Sequence, residues 1–144
     1  MIVADEKKRK EIAVACVRQM WMLEAPVYVV VCNDYAEVVD NYEEAGRKYA
    51  VQNCAIISQS IMLVALDFGL GSCFVGAFDD SAIRRILKIP ENIDVEAIIT
   101  LGYAAEEERE KKYGLEVLAS IDEFGNTKLQ SKNLVKDVLK KLRR

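Results

Sequence analysis

The stretch from residue 48 to 68, KYAVQNCAIISQSIMLVALDF, limits the folds open to this chain more than any other. Its length and apolar content suit one long helix, but the apolar residues do not form a stripe. Tyr49, Val51, Cys54, Ile56, Ile57, Ile61, Met62, Leu63, Val64 and Leu66 surround most of the circumference. A helix apolar nearly all round has to be covered nearly all round. In a chain of 144 residues, either a central position or an interface between two copies would achieve that. Gly69 then stands at the position where helices commonly end in a left-handed residue.

Around this helix the pattern is that of a layered α/β core in one domain, residues 1–144. Ile2 and Val3 read as the end of a strand, Asp5 as a helix N-cap, and Ile12, Cys16, Met20 and Leu23 as one helical face running until Pro26. PVYVVVCND, residues 26–34, is a β-branched run too continuous for a half-exposed strand and is expected to be covered on both faces. Residues 34–47 are acidic without a clear period and read as a loop with a short helix. SCFVGAF, residues 72–78, reads as a buried strand, and Asp79 or Asp80 as the cap of a short helix that Pro90 closes. VEAIITLGY is a second buried strand, ending at Gly102. A charged connection follows, then residues 115–130 as a strand or extended segment and NLVKDVLKKLRR as an amphipathic terminal helix with a solvated basic face; residues 115–144 form a C-terminal extension.

Composition excludes several classes of function. A net charge of -3, with no interleaving of basic and aromatic residues, gives nucleic acid nothing to bind. The longest apolar stretch is interrupted by Ser58, Gln59, Ser60 and Asp67, and no export signal is visible near residue 1, so a cytoplasmic protein away from the membrane is expected. The four cysteines are far apart with no C-x-x-C, which is not a zinc frame, and each is expected to be an inert core thiol. The chain has no histidine, so Ser-His and Cys-His catalysis and imidazole metal sites are excluded. An enzyme built from it would rely on backbone groups, other side chains or a cofactor with its own chemistry.

The segment GLGSCFVGAFD, residues 69–79, is the candidate for such a cofactor. It is not the dinucleotide fingerprint, because Phe74 occupies the place of the third glycine and the glycines follow a helix rather than a strand; no Walker lysine follows either. In combination with Ala25-Pro26 before an apolar strand, Gln52-Asn53 early in the long helix, Asp79 opening a short helix, Ile89-Pro90-Glu91, and Gly102-Tyr103 ending a strand, it resembles the FMN-dependent nitroreductase family over roughly residues 2–125.

The resemblance implies an α+β fold, a mixed sheet flanked by helices, assembled as an intertwined homodimer with the long helix central and FMN at the interface. It implies that Phe74 and Val75 pack against the isoalloxazine, that the N–H groups of Gly76 and Ala77 face ring N5 and O4, and that Lys112 or its neighbour Lys111 meets the phosphate. The implied activity is a ping-pong transfer of hydride from NAD(P)H through FMN to a nitroaromatic, quinone or similar small acceptor, with no catalytic side chain required. The family's Arg-Arg-Ser-x-Arg helix and Ser/Asn-rich loop do not occur in these residues, so the domain reads as N-terminally short. The alternative is a relative that keeps fold and dimer without flavin.

Overall fold

The computed structural model describes residues 1–105, 113–120 and 122–126. They fall in two units, Met1–Ala105 and Glu106–Arg144. In the second, Leu115–Leu118 form a single helical turn, where the sequence suggested an extended segment; leucine and glutamate are both good helix formers. Gly125 N–H donates to Ser120 Oγ at 3.0 Å. The expected terminal helix, and Lys111 and Lys112, one of which is expected to meet the phosphate, lie outside the described residues.

The first unit is a four-stranded sheet in the order β1-β2-β4-β3, from β1 (Ile2–Val3), β2 (Val27–Asp34), β3 (Gly71–Val75) and β4 (Ile93–Gly102). All three pairings are antiparallel, so any parallel strand of a mixed sheet lies outside the described residues. β2 and β4 occupy the middle, which is why their apolar runs are continuous. Between Val31 and Cys32 the register shifts, leaving Glu96 as an extra residue on β4.

Helices α1 (Glu6–Ala15) and α4 (Asp80–Leu87) cover one face, with Ile12, Met22, Tyr28, Val30, Ile83 and Ile98 among the buried core. Asp5 caps α1, accepting from Lys8 N–H at 2.8 Å. The expected run of α1 through Met20 and Leu23 is corrected: the helix ends at Ala15, Val17 and Arg18 take left-handed backbone at φ 56° each, and a 3-10 helix spans Met20–Glu24. That reversal lets Met22, rather than Met20, fill the core.

Helix α2 (Ala36–Tyr42) and a 3-10 turn lead into α3 (Gly46–Asp67), which lies on the other face over Val31, Ala97 and Ile99. The residues α3 buries are small: Gly46, Ala50, Cys54, Ser58 and Ala65. Ser58 satisfies itself by donating to Cys54 O at 2.6 Å. By length and composition alone, the stretch Ala36–Asp67 could cross a membrane. α3 ends in a Schellman arrangement: Gly69 has φ +72°, its N–H donates to Leu66 O at 3.0 Å, and Leu70 N–H donates to Ala65 O at 2.8 Å.

Candidate functional site

The site begins where β3 stops. β3 is an edge strand, so one side of its main chain has no neighbour among the described strands, and it is shorter than the run 72–78 suggested. Its burial is also less than expected: Phe74 is 47% exposed, and Cys73 is exposed as well. An edge position among the described strands accounts for both, because β4 is the one described neighbour beside them. The four cysteines therefore do not form one class. Cys16 and Cys54 are buried, Cys32 is half-buried and Cys73 lies open. Burial pushes the Cys16 thiol up to about 11, and the other three thiols also sit above their ordinary value, burial again being the largest cause.

Val75 is 3% exposed and anchors the end of β3 in the core beneath α1 and α4. Phe74, its neighbour, points to the opposite side, as strand alternation requires. The chain then crosses Gly76, Ala77 and Phe78 to Asp79. Among the described residues the N–H groups of Gly76 and Ala77 donate no hydrogen bond. A Cβ at Gly76 would meet only Phe74 Cε1, at 3.2 Å, so the main chain there is bare on the outside.

Contacts from the end of α1 and the turn after it hold this bare segment in place. Asp79 N–H donates to Ala15 O at 2.9 Å, and Gln19 Nε2 to Ala77 O at 3.4 Å. Asp79 caps α4, accepting from Ala82 N–H at 3.0 Å and from Ser81 Oγ at 2.7 Å; these bonds, the serine's first, hold its carboxyl below the usual range. Two adjacent N–H groups without a partner among the described residues, beside a half-exposed aromatic ring, can donate to the edge of a flat, electron-rich heterocycle.

Behind Phe74 and beneath α3 lies a second constellation. Glu96, the bulged residue, accepts from Tyr35 Oη and from Asn33 Nδ2, the latter at 3.4 Å. Arg47 Nη2 reaches Asp94 Oδ2 at 3.1 Å and its guanidinium lies 4.6 Å from the centre of the Tyr35 ring. Arg84 joins Asp80, at 2.6 Å, and Asp94. Burial raises Tyr35, and the carboxylates of Glu96 and Asp94 raise it further. For Asp94, burial raises the carboxyl but the Tyr35 hydroxyl and Arg84 outweigh it, leaving the group below its ordinary value. This network ties the start of α3 to β2, β4 and α4. Sequence reading passed over it, as it did Gln19, because the partners are separated by tens of residues and no local spacing marks them.

Comparison with known proteins fits this geometry. The model of the Nitroreductase family matches residues 1–103. A Methanocaldococcus jannaschii protein named as a nitroreductase is 35% identical over 89 residues, covering 62% of this chain and 45% of that protein. The NADH dehydrogenase of Thermus thermophilus is 34% identical over 65 residues, 45% of this chain and 32% of that one. The chain thus spans less than half the length of these two curated relatives. Among solved structures, an FMN-dependent nitroreductase of Clostridium difficile superposes with a TM-score of 0.61 at 26% identity, over 78% of this chain and 66% of that one. The NADPH:FMN oxidoreductase of Vibrio harveyi, solved with NAD+, gives 0.74 at 21% identity over 97% and 62%, a likeness of fold. The α+β class expected from the sequence is borne out, and by its family match this chain belongs to the nitroreductase family.

Proposed function

We propose that this chain forms the flavin-binding part of a cytoplasmic, homodimeric oxidoreductase that passes hydride from NAD(P)H to a nitroaromatic, quinone or similar small acceptor. The observation that carries this reading is the pair of N–H groups at Gly76 and Ala77 that have no partner among the described residues, in a chain whose family includes an FMN-dependent structural neighbour. The residues present fit the group: bare main chain, two donors and one half-exposed aromatic ring. Bound FMN would supply the redox chemistry, accepting hydride and giving it up again from one pocket used in turn by donor and acceptor.

The work of the chain is to hold and polarise. Gly76 and Ala77 N–H donate to the ring edge, where negative charge gathers on reduction, and donors fixed beforehand stabilise that charge without reorganisation. Phe74 packs against the ring, and Val75, locked in the core, sets the height of the strand below it. Lys111 or Lys112 supplies positive charge for the phosphate, as a point charge rather than a bidentate fork. No side-chain acid or base is needed, in keeping with a chain that contains no histidine.

The outer face of α3 supports the dimer. Ile56, Leu63, Val64 and Leu66 are all exposed there, a contiguous apolar surface that a second copy of α3 would cover.

The test is the visible spectrum of the purified chain before and after addition of FMN and dialysis. A retained flavin spectrum near one per chain supports the reading; a colourless chain that takes up no FMN leaves a family scaffold without its chemistry. Gly76→Val should lose the flavin while staying folded, since the new side chain meets only a movable Phe74 edge and otherwise projects into the ring's place. Full occupancy in that variant would remove the ring from this position. Lys112→Ala should weaken FMN more than riboflavin, which lacks the phosphate; equal losses would remove the lysine contact.

A further inference from the structure

The turn between α1 and the 3-10 helix is a strained piece of backbone. Val17 and Arg18 both stand at φ 56°, two successive left-handed residues of which neither is glycine. For a β-branched residue such as valine that conformation is a clear outlier. Val17 gains nothing by burial in return, since it is 73% exposed. Strain of this kind persists only where the surrounding structure imposes it, and it collects at functional sites.

What the turn delivers can be read from its hydrogen bonds. Arg18 N–H donates to Val14 O and Gln19 N–H to Cys16 O, each at 3.1 Å, and the reversal sends Met22 into the core. It also brings the Gln19 side chain to the segment after β3, where Nε2 donates to Ala77 O at 3.4 Å. Among the described residues, Gln19 is the one side chain that bonds to the main chain of Gly76, Ala77 or Phe78. Asp79 N–H donates to Ala15 O, so the segment is held on either side of Phe78. Fixing Ala77 O fixes the peptide plane between Ala77 and Phe78, and through the Ala77 Cα it restricts the adjoining plane that carries the Ala77 N–H. A donor stabilises developing charge best when it is held in place beforehand.

We propose that Gln19 is a positioning residue for the flavin edge: presented by the strained turn at Val17 and Arg18, it holds the Ala77 main chain so that its N–H stays aligned with the ring edge that gains charge on reduction. This rests on the reading of Gly76 and Ala77 as the flavin edge. Gln19 acts through Ala77.

The test is Gln19→Met in the full chain, a change that keeps length and neutrality and removes the donor. Gln19 is half-buried and its side chain makes this one bond among the described residues, so the variant should fold as the parent does. Without flavin, amide order parameters from NMR relaxation should lie near the rigid value of about 0.85 at Ala77 and Phe78 in the parent and fall below about 0.6 in the variant, with the amides of β4 unchanged. With FMN, the variant should weaken the reduced form about threefold more than the oxidised form, read as a lower midpoint potential, because donor alignment matters most to the charged ring. Unchanged order parameters at Ala77 and Phe78 would overturn the proposal. Loosened amides with an unmoved potential would make Gln19 a contact of the fold and overturn its positioning role. A parent that takes up no FMN would overturn the flavin-edge reading itself and this proposal with it, and the flavin-free order parameters keep that failure distinct from a failure of the Gln19 contact.

Discussion

The two faces of the sheet are finished differently. Under α1 and α4 the core is closed: Ile12, Tyr28, Val30, Ile83 and Ile98 are all at 0% exposure. Under α3 the apolar cluster of buried residues is Val31, Cys54, Ala97 and Ile99, while Ile56, Leu63, Val64 and Leu66 on the helix are exposed by between 57% and 70%. An ordinary surface helix puts its large apolar residues against the sheet and its small or polar ones outside. α3 does the reverse: the residues it buries are small, while Ile56, Leu63, Val64 and Leu66 stay exposed. One face of the sheet therefore completes the chain's own fold, and the other presents a surface suited to a second layer.

This contrast makes the largest expected effect a core deletion on the closed face. Ile98→Ala should cost about 2–5 kcal/mol, the range for removing a buried aliphatic chain and leaving a partly collapsed cavity. Its midpoint shift in urea should be the same at any protein concentration. If the shift grew on dilution instead, the closed face would not be the self-sufficient half.

On the open face, Leu63→Glu should leave the single chain folded but halve its mass in sedimentation velocity, because a carboxylate in an apolar interface has no partner and costs several times what the leucine contributed. In the separated chain the same change should lie within about 0.5 kcal/mol of neutral, as surface substitutions do. A parent chain that sediments as a monomer, or a Leu63→Glu chain with undiminished mass, would end the reading of α3 as a dimer surface.

Much of this contrast was legible in the residues. The period of α3 announced a helix with too much apolar surface for one small domain, and Gly69 and Pro90 marked where elements end, because such signals are local and have one cause each. What the sequence did not disclose depends on pairing at a distance. SCFVGAF looks buried, yet β3 is an edge strand among the described residues, and whether a strand is an edge is decided by its neighbours. The helical spacing of Met20 and Leu23 was genuine but misleading, since the backbone reverses at Val17 and Arg18 to bury Met22. The Glu96 bulge, and the row of Tyr28, Thr100 and Cys73, exist only through register, which no single segment encodes. For the proposed flavin edge, the residues at positions 74–77 could be singled out, but not that Val75 would be locked inward while Gly76 and Ala77 kept unpaired donors.

The smallest effect also separates the faces. Both helices of the closed face are capped by aspartate, α1 by Asp5 and α4 by Asp79, whereas the cap position of α3 is Ala45, which has no side-chain cap bond to give. Asp79 sits below the ordinary carboxylate value because Ser81 and Ala82 donate to its charged form. A group whose folded value is depressed adds stability above its unfolded value, and that stability is lost as pH falls through the folded one. Asp79→Ala should therefore lower the melting temperature slightly near pH 7, with the gap to the parent closing below about pH 4. Asp79→Asn, which keeps an acceptor without a charge, should recover most of the loss and show no such closing. A gap unchanged between pH 7 and pH 3 would mean that the carboxylate's charge contributes nothing to α4 beyond the hydrogen bonds its oxygen accepts.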